Sequence, residues 1–385
     1  MSEDIGFSQD RLDHLKRVIE ADVARHLYYG AVMIVARDGK IAFSETLGAQ
    51  DKDGKKPLQP DSVFSIFSVT KAFTNILALR VIELGQFALT TKVSEVIPEW
   101  GNGLRSQITV FHLMSHQSGL PMVWEAKPGM YIDKFDEIIA AIIERVHSTE
   151  PPGEHCAYSP LANIALLGEM VRRTDPKKRR YRDIAREDLF EPLKMKDTAI
   201  GRRADLKSRH VVPDMRGNVS INHPGSSNLG PNGAFEEEHA EMPWVGAVCS
   251  VPNMFRFAEM LRRGGELDGA RILSPAMLQL ARKNWTGEHK PNELYKMLAH
   301  KRGWEPSPAY IGLGFSLRGT AICHHQFGTL ASPETFGNYG AGSALYWVDP
   351  VRNLTFVCLT AGVMEPNDNI ERFQRLGDIV ISAVV

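Results

Sequence analysis

The sequence reads Phe64-Ser65-Ile66-Phe67-Ser68-Val69-Thr70-Lys71-Ala72-Phe73-Thr74 at the point where a strand-like run enters a helix. From Ser68 to Gly85 most residues favour helix, and apolar side chains lie on nearly every side of it. We therefore expect this helix to be buried. Ser68 and Lys71 are three residues apart, so a hydroxyl and an amine share one helix face, one turn apart.

The pair Ser68 and Lys71 forms an S-x-x-K motif, and the lysine carries the chemical interest. A buried ammonium is costly without a partner, and no acidic residue lies in the same helical turn. Desolvation favours the neutral amine, which can accept the proton of Ser68 and make it a nucleophile. The alternative interpretation is a serine N-cap followed by a lysine that extends to solvent.

Composition places the chain among ordinary globular proteins. Its 385 residues are 43% hydrophobic, which is enough for a large core and two to three domain-sized units. With 45 basic and 46 acidic residues the net charge is −1, so we expect neither a nucleic-acid nor a membrane partner. The first residues lack a basic start and an apolar run, which predicts no export and a cytoplasmic location.

Two residue patterns raise the question of metal binding. The four cysteines are far apart with no C-x-x-C spacing, which indicates free thiols. His112 and His116 are four residues apart, but the glutamate of H-E-x-x-H is absent, so packed or capping histidines are favoured. We expect no metal and no other cofactor.

Periodicity predicts strands near both termini. Residues 31–36 and 41–47 flank Arg37-Asp38-Gly39-Lys40, a hairpin signal, and residues 311–317, 343–348 and 354–361 are predicted strands. Helices are predicted at 8–27, 134–146, 161–173, 252–263 and 368–384. From Ser68 to about Ala240 helix and loop dominate.

This order predicts an α/β (α+β) fold, an antiparallel β-sheet flanked by helices with an inserted, mainly helical domain. The predicted sheet domain comprises residues 1–75 plus 241–385, and the helical domain comprises residues 76–240. The serine helix, and with it the active site, would lie at the junction.

Six sequence motifs occur along the chain in an order typical of one group of enzymes. They are Phe67-Ser68-Val69-Thr70-Lys71-Ala72-Phe73, Ile108 to Pro121 (ITVFHLMSHQSGLP), Pro152-Gly153-Glu154 with Tyr158-Ser159, Ala258 to Gly265 (AEMLRRGG), Phe336 to Gly342 (FGNYGAG) and Trp347-Val348-Asp349-Pro350. They resemble the serine hydrolases related to class C β-lactamases. That group includes family VIII carboxylesterases, D-alanyl-D-alanine carboxypeptidases and transacylases of the statin side-chain type. The resemblance covers about residues 10 to 384.

The resemblance implies a role for individual residues. Ser68 resembles the acylated nucleophile, Lys71 its hydrogen-bonded partner and Tyr158 the tyrosine whose phenol relays a proton. Gly340 and Ala341 resemble the third motif, on an edge strand, where the N–H groups of Ala341 and Ser68 form the oxyanion hole. The predicted substrate-binding residues are Asn338, Tyr339, Gly340, Trp124 and Trp244. Further aromatic residues on or beside loops that could border the cleft are Tyr131, Phe235, Trp304 and Tyr310.

Two departures from the family pattern bear on the substrate. The second motif of β-lactamases is Tyr-x-Asn, but position 160 is proline here, and the third motif Lys-Thr-Gly is replaced by Asn338-Tyr339-Gly340. The lost groups are those expected to bind the amide and carboxylate of a β-lactam or peptide. β-Lactamase and D-amino-acid peptidase action are therefore disfavoured.

We predict a serine acyl hydrolase that acts on a small-molecule carboxylic ester, a carboxylesterase of family VIII type. The nearest alternative is an acyltransferase that passes the acyl group to an alcohol or amine in a biosynthetic pathway. A third alternative is a non-catalytic assembly protein of the same fold. The sequence leaves open the physiological substrate, the oligomeric state and which of Lys71 and Tyr158 is the general base.

Overall fold

The computed structural model describes residues 3–214, 225–231 and 233–385. Its helices are α1 (Gln9–Ala24), α2 (Thr70–Glu83), α3 (Val93–Val96), α4 (Val110–Met114), α5 (Phe135–Arg145), α6 (Ala162–Thr174), α7 (Tyr181–Ala185), α8 (Val251–Arg262), α9 (Pro275–Ala281), α10 (Glu293–Arg302) and α11 (Pro366–Ser382). Its strands are β1 (Gly30–Arg37), β2 (Lys40–Gly48), β3 (Val63–Ser65), β4 (Thr198–Ile200), β5 (His210–Val211), β6 (Ala247–Ser250), β7 (Glu266–Leu267), β8 (Ala270–Arg271), β9 (Ser316–Leu317), β10 (Phe336–Gly340), β11 (Ala344–Asp349) and β12 (Leu354–Ala361).

The largest sheet unites the two ends of the chain. Its strand order is β2-β1-β12-β11-β10-β9, and its neighbouring strands all run antiparallel. The hairpin between β1 and β2 turns at Asp38 and Gly39, and both have the positive φ that tight hairpin turns require. The predicted α/β fold, an antiparallel sheet flanked by helices, is confirmed.

Helices cover both faces of this sheet. On one face α1 packs with α11, and their apolar side chains share a core with Leu345, Trp347 and Phe356 of the sheet. On the other face α8 packs on β1, β11 and β12, and the same core continues to α2. Every α2 residue from Thr70 to Leu79 is buried, as the all-round apolar pattern predicts.

A second sheet was not predicted from the sequence. Its order is β4-β6-β3-β5, so strands from the predicted helical domain, β4 and β5, pair with strands from the predicted sheet domain. The strands span two to four residues, which is too short for alternation to be recognisable. The division into residues 1–75 plus 241–385 and 76–240 stays a prediction.

Two strands of the main sheet differ from their predicted form. The predicted strand 311–317 is only two residues long, because Gly314 adopts a positive φ (84°) beside Asn75 and turns the chain before Ser316. β10, which carries the third motif, is flanked by β9 and β11, but β9 pairs only with Phe336 and Gly337. Along the rest of β10 the sheet ends at that strand.

Within the described ranges, no helix is long and apolar enough to cross a membrane.

Candidate active site

Ser68 lies in a single 3₁₀ turn, Phe67–Val69, between strand β3 and helix α2. Phe67, directly before it, has a φ of +49°, which is uncommon for a bulky residue and is a form of local backbone strain. Ser68 itself is only partly buried. The turn thus holds the predicted nucleophile at the start of a buried helix while leaving its hydroxyl accessible.

Lys71 lies one helical turn further on, and its side chain is 4% exposed. Its Nζ lies 3.2 Å from Ser68 Oγ and donates a hydrogen bond of 2.8 Å to the carbonyl oxygen of Trp244. In the part of the chain that the structure describes, no carboxylate forms an ion pair with it. Burial without a counter-charge lowers the pKa of Lys71 to about 7. A large fraction of the amine is therefore neutral at physiological pH.

Tyr158 comes from a distant part of the sequence to the same hydroxyl. Its phenol donates a 2.7 Å hydrogen bond to Ser68 Oγ, and Lys71 Nζ lies 5.2 Å from the centre of its ring. Burial raises the pKa of Tyr158 above its usual value. Because the phenol stays protonated at neutral pH, it can donate this hydrogen bond there. The neutral amine of Lys71 is the better proton acceptor for Ser68.

Strand β10 runs directly against the serine turn. A Cβ on Gly340 would clash with the carbonyl oxygen of Ile66 and would lie 3.4 Å from the amide nitrogen of Ser68. A Cβ on Gly342 would collide with the ring of Phe67. Glycine at both positions lets the β10 backbone approach the serine. Ala341 lies between these two glycines, and the part of its amide in an oxyanion hole with that of Ser68 stays a prediction.

Comparison with known proteins identifies the family of the chain. Residues 15–380 match the model of the family described as Beta-lactamase. The chain belongs to the beta-lactamase family. The predicted resemblance to serine hydrolases of this group is therefore confirmed.

Curated relatives match parts of the chain. "Protein flp" of Staphylococcus aureus (strain MW2) is 27% identical over 230 residues, 58% of this chain and 45% of the relative. The alignment thus spans less than half of that relative's length. "Esterase EstB" of Burkholderia gladioli is 33% identical over 110 residues, 28% of each chain.

Solved structures resemble the whole fold. A penicillin-binding protein homologue from Caulobacter crescentus superposes with a TM-score of 0.79 at 24% identity, covering 98% of this chain and 99% of the other. A family VIII carboxylesterase gives 0.76 at 18% identity with the same coverage. Simvastatin synthase (LovD) from Aspergillus terreus, in its unliganded form, gives 0.72 at 18% identity over 96% of this chain and 98% of that one. At these identities the likeness shows the fold alone.

Asn338 and Tyr339 occupy the first two positions of the third motif, and their side chains point into different parts of the protein. The Asn338 amide donates to the carbonyl oxygen of Gly314 (3.0 Å) and accepts from the hydroxyl of Tyr346 (2.6 Å). Tyr339 packs on the opposite side of β10, with its ring 6.1 Å from that of Phe373 on α11. Both side chains therefore have partners within the protein, and their predicted contact with substrate stays a prediction.

The two predicted tryptophans occupy different environments. Trp244 is 3% exposed, and its ring lies 6.4 Å from that of Phe135, so it reaches the site through its carbonyl oxygen on Lys71. Trp124 is 58% exposed on a loop. Pro160, which replaces the asparagine of the second motif, is buried.

Among the other predicted aromatics, Phe235 packs against the serine turn. Its ring centre is 4.4 Å from that of Phe67, and Val245 and Val363 pack against this pair. We call these four residues the apolar wall. Tyr310, by contrast, is 2% exposed and accepts a hydrogen bond from the amide of Ala321, which is a packing role.

Sequence reasoning missed two groups that support Tyr158. Asn292, the N-cap of α10, accepts hydrogen bonds from the amides of Tyr158 (3.2 Å) and Leu294 (3.1 Å). Tyr295, on the same helix, lies within electrostatic range of the phenols of Tyr158 and Tyr339, and burial raises its own pKa to about 12. An Asn-x-x-Tyr spacing at a helix start carries no signal that could have revealed either contact.

His116 is the third supporting group, and His112 has a separate role. His112 Nδ1 accepts the amide N–H of Thr109 in a capping box at α4. The His116 ring lies 4.9 Å from that of Tyr158, and its Nδ1 accepts the amide N–H of Ser159 at 3.1 Å. Burial, with the charge of Lys71 nearby, lowers the pKa of His116 to about 3, so the ring is a neutral acceptor.

We expect His116→Ala to lower the free energy of unfolding by about 1–3 kcal/mol, because the buried N–H of Ser159 loses its acceptor. His116 also has a φ of +55°, which alanine tolerates poorly. Urea denaturation of the purified variant measures the change.

The matched control is His14→Ala on the exposed face of α1, which we expect to stay within about 0.5 kcal/mol of the wild type. His116→Asn should lose less than His116→Ala, because asparagine supplies an acceptor and tolerates positive φ. Equal stability of His116→Ala and wild type would contradict the role of His116 as the hydrogen-bond acceptor for the amide of Ser159.

Proposed function

We propose that this protein is a serine acyl hydrolase that acts on carboxylic esters through an acyl-enzyme on Ser68. One observation carries the proposal. The Ser68 hydroxyl lies 3.2 Å from the amine of Lys71, and burial lowers the pKa of that amine to about 7. The same hydroxyl lies 2.7 Å from the phenol of Tyr158, which stays protonated. A nucleophile with a proton acceptor on one side and a proton donor on the other is suited to acyl transfer.

The first half-reaction forms the acyl-enzyme. Neutral Lys71 accepts the proton of Ser68 as Oγ attacks the ester carbonyl, and the negative charge moves to the carbonyl oxygen. The amides of Ser68 and Ala341 donate to that oxygen, and one such donor is typically worth about 10² to 10³ in rate. Tyr158 then donates its proton to the leaving alkoxide and is reprotonated from Lys71.

The second half-reaction releases the acid. Water attacks the acyl-enzyme as Tyr158 and Lys71 together accept its proton, and Ser68 leaves with a proton returned from the pair. The free enzyme is regenerated with Lys71 neutral. No charged group is required from the substrate, which is consistent with an ordinary ester.

An ester is favoured over a β-lactam or peptide by two sites that lack an amide-binding group. Pro160 is buried and has neither a side-chain amide nor an N–H. The Asn338 amide is occupied by Gly314 and Tyr346. An alkoxide also leaves with less help than an amine, so an ester demands less of the site.

An acyltransferase is the second candidate, and the apolar wall supports it. Phe67, Phe235, Val245 and Val363 lie beside the serine, where they would limit the access of water to an acyl-enzyme. A solved structure of the same fold, "EstCE1, a hydrolase with promiscuous acyltransferase activity", superposes with a TM-score of 0.74 at 20% identity. The two candidates share the first half-reaction and differ in the acceptor.

Product partitioning separates the two candidates. We expect the protein to convert p-nitrophenyl acyl esters mainly to the free acid, even with an added alcohol or amine, because Ser68 stays partly exposed despite the apolar wall beside it. Mass spectrometry quantifies acid and transfer product from one reaction, and the chromogenic β-lactam nitrocefin is the comparison substrate.

Predominant transfer to the added acceptor would replace hydrolase by acyltransferase. Faster turnover of nitrocefin than of the esters would overturn the ester preference. If no substrate leaves an acyl group on Ser68, both candidates fail and a non-catalytic role takes their place.

A further inference from the structure

A cavity of about 840 Å³ lies between the end of β12, the start of α11 and the turn after α1. Its lining includes Tyr28, Val363, Glu365, Asp368, Arg372 and Arg375. Its size suits a small molecule or the distal part of one. None of the catalytic side chains Ser68, Lys71 and Tyr158 lines it.

Arg372 is the unusual member of this lining. It is 3% exposed, and its guanidinium lies 4.7 Å from the ring of Tyr28 and 4.0 Å from that of Phe373. It donates only to neutral oxygens, Thr360 Oγ1 at 3.0 Å and Asn369 Oδ1 at 2.8 Å, and its buried Nε has no hydrogen-bond partner. A buried guanidinium without a counter-ion is costly and is rarely left so.

The carboxylates around the cavity are committed to other cations. Asp22, which is fully buried behind Tyr28, pairs with Arg25 and Arg375. Glu365 and Asp368 both pair with Arg302, which does not line the cavity.

Glu371 is exposed at the cavity edge. Among the described residues, no carboxylate forms an ion pair with Arg372, although it lies at the cavity wall. The positive charge of Arg372 is therefore available to an incoming anion.

Two contacts connect the cavity with the serine turn. Val363 lines the cavity and is also a member of the apolar wall, which includes Phe67, the residue before Ser68. Tyr339 precedes Gly340 of the third motif, and its hydroxyl lies beside Asn369 and in the field of Arg372, without a hydrogen bond of good geometry. Since Val363 belongs to both, an acyl chain that extends from Ser68 along the apolar wall is directed towards the cavity that Arg372 lines.

We propose that this cavity is a subsite for a carboxylate at the remote end of the substrate, with Arg372 as its anchor. The inference rests on the proposed ester hydrolysis insofar as it calls the bound molecule a substrate. The binding of the anion does not depend on that proposal. A guanidinium binds a carboxylate through charge-assisted hydrogen bonds. The charged residues of the lining are Arg25, Lys52, Arg372 and Arg375 on the basic side and Glu365, Asp368 and Glu371 on the acidic side, and one carboxylate would balance their net charge of +1. The substrate class is therefore a monoester of a dicarboxylic acid.

The kinetic test compares two ester series of equal length. One consists of p-nitrophenyl monoesters of dicarboxylic acids from succinate to azelate, and the other has a methyl ester in place of the free carboxylate. At the length that reaches Arg372 we expect kcat/KM for the free acid to exceed that of its capped partner by about 10-fold or more. In Arg372→Met this ratio should fall to about one, and in Arg372→Lys it should be intermediate.

The control variant is Arg145→Met, which removes an exposed arginine from α5 and should keep the wild-type ratio. A wild-type ratio of one or less at every chain length would overturn the subsite, and this outcome requires no variant to fold. A high ratio that persists in a folded Arg372→Met would overturn the assignment to Arg372.

Direct binding separates this inference from the proposed function. Isothermal titration of Ser68→Ala with monomethyl suberate should show saturable binding that weakens with salt, and Arg372→Lys introduced into that background should weaken it about 10-fold or more. Binding by Ser68→Ala, together with a wild type that hydrolyses no ester, would support the subsite and contradict the hydrolase. Absence of binding, alongside hydrolysis of neutral esters, would do the reverse.

Discussion

Ser68→Ala should lower kcat/KM for p-nitrophenyl esters by about 10⁴-fold or more, because no other group in the site can form the acyl-enzyme. The variant should also lose covalent labelling by a fluorophosphonate. Intact-protein mass spectrometry reports the label, and circular dichroism reports the fold. The fold should persist, because Ser68 is partly exposed and, among the described residues, only Lys71 and Tyr158 form side-chain hydrogen bonds with its hydroxyl.

The matched control is Ser44→Ala, which removes an exposed serine on the edge strand β2. We expect wild-type turnover and labelling from it. Labelling or full turnover by a folded Ser68→Ala would exclude Ser68 as the nucleophile.

Lys71→Met should reduce kcat/KM by about 10² to 10⁴, the range expected for loss of a positioned proton acceptor. Methionine keeps the unbranched apolar chain and removes only the amine. In the wild type the amine must be neutral to accept a proton, and burial lowers its pKa to about 7. The wild-type kcat/KM should therefore fall tenfold per pH unit below about 7 and level off above it. Measurement from pH 5 to 9 gives the profile.

Three comparisons make this prediction sharp. Lys283→Met, at an exposed lysine, should behave as the wild type. Tyr158→Phe should be slow but should keep the inflection near pH 7, because Lys71 still titrates. If the inflection disappears in Tyr158→Phe and survives in Lys71→Met, Tyr158 is the base and the proton path runs in the opposite direction. Loss of the hydrogen bond to the Trp244 carbonyl can also lower the stability of Lys71→Met, so its unfolding is measured in parallel.

The agreement between sequence and structure is greatest where neighbours along the chain decide the outcome. Helix α11 is predicted at 368–384 and found at Pro366–Ser382, because its apolar stripe repeats over several turns. The β1–β2 hairpin follows from Asp38-Gly39, which tolerate positive φ. The small second sheet escaped prediction because a strand such as Thr198–Ile200 is defined by its partner Ala247–Ser250 rather than by its own pattern.

The same distinction between local and long-range determinants applies to the candidate active site. The spacing of Ser68 and Lys71 by one helical turn is a local property, and the sequence by itself determined it, along with the apolar surroundings of α2. The phenol of Tyr158 is 90 positions from Ser68, and the Trp244 carbonyl is 173 positions from Lys71. Only the tertiary structure decided that these groups meet, and that neither Lys71 nor Arg372, which lies beside a cavity, has a counter-charge among the residues that the structure describes. The physical reason is that helix geometry depends on residues a few positions apart, whereas burial and charge pairing depend on which distant segments pack together.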